Sequence, residues 1–123
     1  MMLIGMVFRE RFSEKYRLFR YLANTFSRAN DYVKPDEILF LGDIFDEGLS
    51  ATDEEFNRYF NRFNAIFQYK NRENKSIVIP GDNDVGGEYY GDKKPYQRKR
   101  FSRYFGRMIQ LYQQKDIDIL RVI

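Results

Sequence analysis

The sequence predicts an α/β domain, with helices layered against a parallel or mixed sheet, and three observations carry that expectation. Two four-residue runs, Ile38-Leu39-Phe40-Leu41 and Ser76-Ile77-Val78-Ile79, are each closed by turn residues (Gly42; Pro80-Gly81) and read as short buried strands. Aromatic residues recur between and beyond them in steps of four and three, the spacing of one helix face. The resulting order of helix, strand, helix, strand, helix, strand is that of a layered fold with parallel neighbours.

Each element has its own signals. Phe12, Tyr16, Phe19, Ala23 and Phe26, with charges between them, predict an amphipathic helix over residues 11–30 that ends near Asn30-Asp31. Pro35 marks the entry to the first strand. Thr52 or Asp53 can cap a second helix whose first turn carries Glu54 and Glu55 against the dipole, and Phe56, Phe60, Phe63 and Phe67 form its core face. Asn71 to Lys75 is a polar connection. After the second strand, Asp82-Asn83-Asp84-Val85-Gly86-Gly87-Glu88 reads as a loop. A basic helix is expected from Lys93 to about Tyr112, with Phe101, Tyr104, Phe105 and Met108 on its apolar face. Ile117 to Ile123 reads as a final strand. The apolar runs at the two ends (Met1 to Phe8 and Ile117 to Ile123) look like strands of a larger sheet, so residues 1–123 are expected to be one partial domain. The first run is much too short for a membrane span and lacks a signal-peptide layout.

Composition narrows the chemistry. With 43% hydrophobic and 18% aromatic residues, the chain can fill a core and is not of a disordered type. It has no cysteine, hence no disulfide framework or thiolate metal site. It has no histidine, which excludes His-based nucleophile activation, His acid–base chemistry and the His-rich sites favoured by zinc. The net charge of +3 is unevenly spread. Pro35 to Asn57 holds eight acidic residues and no Lys or Arg; Lys93 to Arg107 holds seven basic residues and no Asp or Glu. The basic block is either a solvated helix face or a surface that steers an anion, with Lys93, Lys94 and Arg98 its candidate residues.

The first strand delivers Asp43 and Asp46 at its C-terminal end, and the second delivers Asp82, Asn83 and Asp84. A right-handed crossover between parallel strands places both loops on one edge of the sheet, although 39 residues separate Asp43 from Asp82. Clustered carboxylates with an amide oxygen, and no His or Cys, favour hard cations such as Mg²⁺ or Mn²⁺. The alternative on the residues alone is that Asp43 and Asp46 only shape a turn and cap the following helix.

Gly42-Asp43-Ile44-Phe45-Asp46-Glu47-Gly48 resembles the Gly-Asp-x-x-Asp motif of the calcineurin-like metallophosphoesterases, and Pro80-Gly81-Asp82-Asn83-Asp84-Val85-Gly86 resembles their Gly-Asn-His-Asp motif. Lys34-Pro35-Asp36, Arg62-Phe63 with Ile66-Phe67, and Asp-Val-Gly in the second loop are similar to one branch. Its members are membrane-anchored, manganese-dependent phosphoesterases of the early secretory pathway. They remodel GPI anchors by removing an ethanolamine-phosphate side branch from a mannose.

The resemblance implies the partial sandwich of that family, a two-metal site loaded with Mn²⁺, a phosphoester substrate such as a GPI-anchor glycan, and an endoplasmic reticulum membrane setting reached through segments outside this chain. It implies that Asp43 bridges the metals, Asp46 fixes the loop and Asp82 is a metal ligand. Asn83 stands at the position of the family's His, Asp84 is the closing acid, and Gly42 and Gly81 shape the loops. A one-residue slip would make Asn83 the ligand instead of Asp82. The family's opening Asp-x-His is not matched, because Met2 stands where the His would be, and no Gly-His-x-His follows. The chain alone is therefore expected to turn over little phosphoester. The competing function is a non-catalytic remnant that binds a phosphate-bearing or protein partner through the basic segment. Nucleic-acid binding has no recognised motif behind it and is not expected.

Overall fold

The structure, a computed structural model, describes residues 12–71, 76–87, 95–107, 110–113 and 118–121. Helix α1 (Phe12–Val33) is followed by strand β1 (Ile38–Leu41), helix α2 (Asp53–Phe67), strand β2 (Ser76–Ile79), a single helical turn α3 (Asp82–Val85), helix α4 (Pro95–Phe105) and a hairpin of β3 (Gln110–Gln113) and β4 (Asp118–Arg121). This is a mixed α/β chain with a small parallel sheet, as the sequence predicts.

The central helix shows why the boundaries fall where they do. Thr52 caps α2: its hydroxyl accepts from the Glu55 amide at 3.2 Å, while the Glu55 carboxylate accepts from the Thr52 amide at 2.8 Å. Gln68 closes the helix in a left-handed conformation, φ 53°, and its amide returns to the Asn64 carbonyl. Between these ends Phe56, Phe60, Phe63 and Phe67 are all buried. Edge-on ring contacts knit them to the strand and the loop beyond it: Phe40 lies 5.1 Å from Phe63, and Phe45 lies 5.0 Å from Phe56. Phe26 of α1 meets Phe67 at 5.0 Å, and Phe101 and Phe105 of α4 complete the cluster. Tyr16, placed by its spacing on the apolar face of α1, is exposed instead, while Phe19 and Phe26 are partly buried against the core.

Strands β1 and β2 pair in parallel, Leu39 opposite Ile77 and Leu41 opposite Ile79. The expectation that β1 is fully buried is corrected. Phe40 is buried, but Leu39 is 45% and Leu41 59% exposed. Successive strand side chains point to opposite faces, and among the described residues the helices cover the face of Phe40. Two further corrections concern the C-terminal part. The basic helix ends at Phe105, not near Tyr112, because Gly106 takes φ +85° and stops it. The final strand pairs antiparallel with β3, Leu111 opposite Leu120, rather than as a parallel neighbour of β2. The segment read as a plain loop after β2 contains the turn α3. Met1 to Phe8, Met108, Lys93 and Lys94 lie outside the described residues.

Candidate metal-binding loops

The C-terminal ends of β1 and β2 lie side by side, so the loops that follow them meet. Their approach is close enough to dictate glycine on both sides. Gly42 has φ +78°, and a Cβ there would stand 3.1 Å from the Cα and N of Gly81. A Cβ on Gly81 would overlap the Asp43 carboxylate. Asp43 itself is held at φ +49°, a left-handed conformation that costs any L-residue energy and that Asp tolerates better than most.

The weld between the loops is the carboxylate of Asp84. It is fully buried and accepts from three amides: Phe45 at 2.8 Å, Gly81 at 2.9 Å and Ile44 at 3.0 Å. Two of those donors belong to the first loop and one to the second, so a single side chain fixes the mutual position of both. Burial raises its pKa to about 6 despite the three amides, which pull the other way, and the charge of Asp43 adds to the rise. The loop amides are held by Asp84 rather than by Asp46, which is half-buried beside them.

Asp43 and Asp82 occupy the solvent side of the weld. Asp43 is partly buried, and burial first, then the nearby Asp82 and Asp46 carboxylates, raise its pKa; the Asn83 amide, donating to Asp43 Oδ1 at 3.3 Å, opposes the rise. The Asp82 carboxylate is exposed and close enough to help raise the pKa of Asp43. Two neighbouring carboxylates repel, and a cation between them relieves that repulsion. Asn83 is anchored by its backbone, its carbonyl accepting from Leu49 at 2.6 Å, and its exposed side chain is left to face outward. The donor set thus fits a hard cation held by a carboxylate pair. Among the described residues there is no group of three or more His, Cys, Asp or Glu of the kind that holds a metal alone.

Of the basic residues, Arg98 is exposed on α4. Within the same block Arg100, which neither the solvated-face nor the anion-steering expectation singles out, has a defined place. It is only 3% exposed. Its guanidinium donates to the Gly48 and Ala51 carbonyls, both at 2.7 Å, and pairs with Asp53 at 3.1 Å. It also stacks 4.6 Å over the Phe56 ring. The signal was present in the spacing: Arg100 adjoins Phe101 and stands four residues from Tyr96 and Tyr104, on the rim of the buried stripe.

The family model described as calcineurin-like phosphoesterase matches residues 11–121. Cell division control protein 1 of Saccharomyces cerevisiae is 38% identical over 76 residues, which is 61% of this chain and 15% of that protein. Metallophosphoesterase 1 of Cricetulus griseus is 32% identical over 109 residues, 89% of this chain and 27% of that protein. Metallophosphoesterase 1 homolog of Drosophila melanogaster is 31% identical over 107 residues, 85% of this chain and 28% of that protein. The chain therefore spans less than a third of the length of these curated relatives. No solved structure matches the chain significantly. Among the described residues, no helix is long and apolar enough to cross a membrane.

Proposed function

The chain belongs to the calcineurin-like phosphoesterase family, whose members generally use divalent metals, and from that premise we propose that its two acidic loops form the cation-holding part of a phosphoester hydrolase. Asp43 and Asp82 are the ligands. The observation that carries this is their apposition: a strained, partly buried carboxylate set beside a second one, on loops that Asp84 fixes from within.

Each neighbouring residue has a part that follows from its place. Asp84 holds the loops together from behind. Gly42 and Gly81 allow them to touch, and Asp46 adds negative charge beside Asp43. Asn83, with its side chain outward, can donate a hydrogen bond to a phosphoryl oxygen or a leaving group but cannot deliver a proton. A bound divalent cation would supply charge neutralisation at phosphorus and a more acidic water. Mn²⁺ is the proposed metal. The proposed substrate is a phosphoester of the ethanolamine-phosphate type carried on GPI-anchor mannose, handled in the endoplasmic reticulum or early secretory pathway. Both rest on the resemblance of the flanking words to that branch. Lys93, Lys94 and Arg98 are proposed to draw the anion in.

The second reading, a binding module without turnover, is favoured by one feature: the chain has no histidine, so no residue at the Asn83 position or elsewhere supplies the family's imidazole. Calorimetric titration with Mn²⁺ tests the core of the proposal. Binding is expected to be weak and to vanish in Asp43→Ala and Asp82→Ala. Unchanged binding in both variants would refute the assignment. Hydrolysis of a bis-aryl phosphate by the chain alone is expected to be near background.

A further inference from the structure

We infer that Arg100 is a positioning residue for both acidic loops, fixing the segment from Gly48 to Asp53 so that the Asp43 and Asn83 ends stay in register. Any effect of this positioning on a bound cation rests on the proposed function above; its effect on loop geometry does not.

The guanidinium does not act as an ordinary surface cation. It is buried, and its hydrogen bonds go to backbone carbonyls at two points of one loop, Gly48 and Ala51, plus the Asp53 carboxylate at the first turn of α2. A planar fork holds its donors pre-organised to span two carbonyls three residues apart; an ammonium on a flexible stem does so less well. The segment between those carbonyls contains Leu49, whose amide donates to the Asn83 carbonyl at 2.6 Å. Gly48 is in close contact with the second loop as well, since a Cβ there would meet Asp84 Cα at 3.1 Å and Asn83 O at 3.2 Å. Arg100 therefore holds one side of a short strip whose other side touches the second loop. Asn83 in turn donates to Asp43.

The chain of contacts runs from α4 through Arg100 to Gly48–Ala51, then through Leu49 to Asn83, and ends on the Asp43 carboxylate. Its mate is Asp84, which grips the same first loop by its amides at Ile44 and Phe45 while Arg100 grips it by its carbonyls at Gly48 and Ala51. Stacking on Phe56 and Tyr96 holds the plane of the fork in place. Among the described residues the buried Nε of Arg100 has no hydrogen-bond partner, and the side chain keeps this place nonetheless.

The test compares Arg100→Met, Arg100→Lys and the core variant Phe60→Leu in the 123-residue chain. Phe60 packs against Tyr69, Tyr104 and Phe105 and serves as a control for lost packing alone. Two readouts are taken well below each variant's melting midpoint: amide hydrogen exchange at Leu49, and the dissociation constant for Mn²⁺ by spin-resonance titration. Arg100→Met is expected to speed exchange at Leu49 at least tenfold beyond its effect on the mid-helix amides of α2. It is also expected to weaken Mn²⁺ binding by about tenfold or more, the range for residues that orient metal ligands. Arg100→Lys should fall between wild type and Met, and Phe60→Leu should leave both readouts unchanged relative to its global stability. Uniform acceleration in every variant, or an unaffected Leu49 amide, overturns the inference, as does failure of both Arg100 variants to fold. If wild type binds no Mn²⁺ while Leu49 still responds selectively, the loop-positioning role stands and the metal reading of Asp43 and Asp82 falls.

Discussion

Asp82 and Asp84 stand two residues apart, yet one is exposed beside the Asp43 carboxylate while the other is fully buried among three amide donors. Both are charged groups in unfavourable surroundings, but the remedy differs. For Asp84 the protein itself supplies the compensating dipoles, so the group is complete without a ligand. For the Asp43–Asp82 pair the described surroundings add a third carboxylate, Asp46, and one long amide hydrogen bond. A buried carboxylate whose donors are all internal marks architecture; apposed carboxylates left open to solvent mark a place where something is meant to bind. The family's motif contains both kinds, and residue type alone does not sort them.

The largest expected effect breaks the architectural side. Asp84→Ala strands three amides, two of them buried, and should cost on the order of 4 kcal/mol in denaturant unfolding. A loss below about 1 kcal/mol would mean that water replaces the carboxylate at no great expense.

The next effect is a pH dependence. Because the folded pKa of Asp84 is raised, the protonated form is favoured by folding; the stabilisation is fully present below the ordinary value of 3.8 and is lost as pH rises through about 6. Between pH 7 and pH 5 the metal-free chain should therefore gain about 1 kcal/mol from this group. A carboxyl-carbon NMR titration should place its midpoint near 6. A midpoint in the ordinary carboxylate range would mean that the three amides outweigh burial.

The smallest effect has the opposite sign and belongs to the other region. Asp43→Asn removes a repelling charge and keeps a side chain that tolerates left-handed φ, so the metal-free chain should gain about 0.5 kcal/mol while its Mn²⁺ binding disappears. Equal destabilisation at Asp43 and Asp84 would erase the distinction between them.

Much of this was legible in the residues, for reasons that are local. The Phe stripe of α2, its Thr52–Glu55 box and the two apolar runs before Gly42 and Pro80 are each set by neighbours within a turn or a strand. The meeting of the two loops followed from the crossover rule, which needs only strand order. What escaped depends on partners far along the chain. Arg100 and Gly48 are 52 residues apart, and although the aromatic spacing sets Arg100 on the rim of the buried stripe, nothing near it in the sequence says which carbonyls it meets. The exposure of Leu39 and Leu41 was hidden because an all-apolar strand reads as buried on both faces, while among the described residues one face is covered by helices. The end of α4 was misplaced because the apolar spacing continues beyond Gly106, whereas the backbone turns there.

The left-handed backbone of Asp43 carries a consequence for how this chain would drift under selection. Asn or Gly at that position would relieve the backbone and remove the repulsion at once. A screen that rewards yield or heat tolerance, with no cation in the medium, should therefore enrich these substitutions early, dismantling the loop's one strained carboxylate without disturbing the fold. A lineage that keeps Asp43 is retaining a residue its folding does not need, and the persistence of that strain is a record of use.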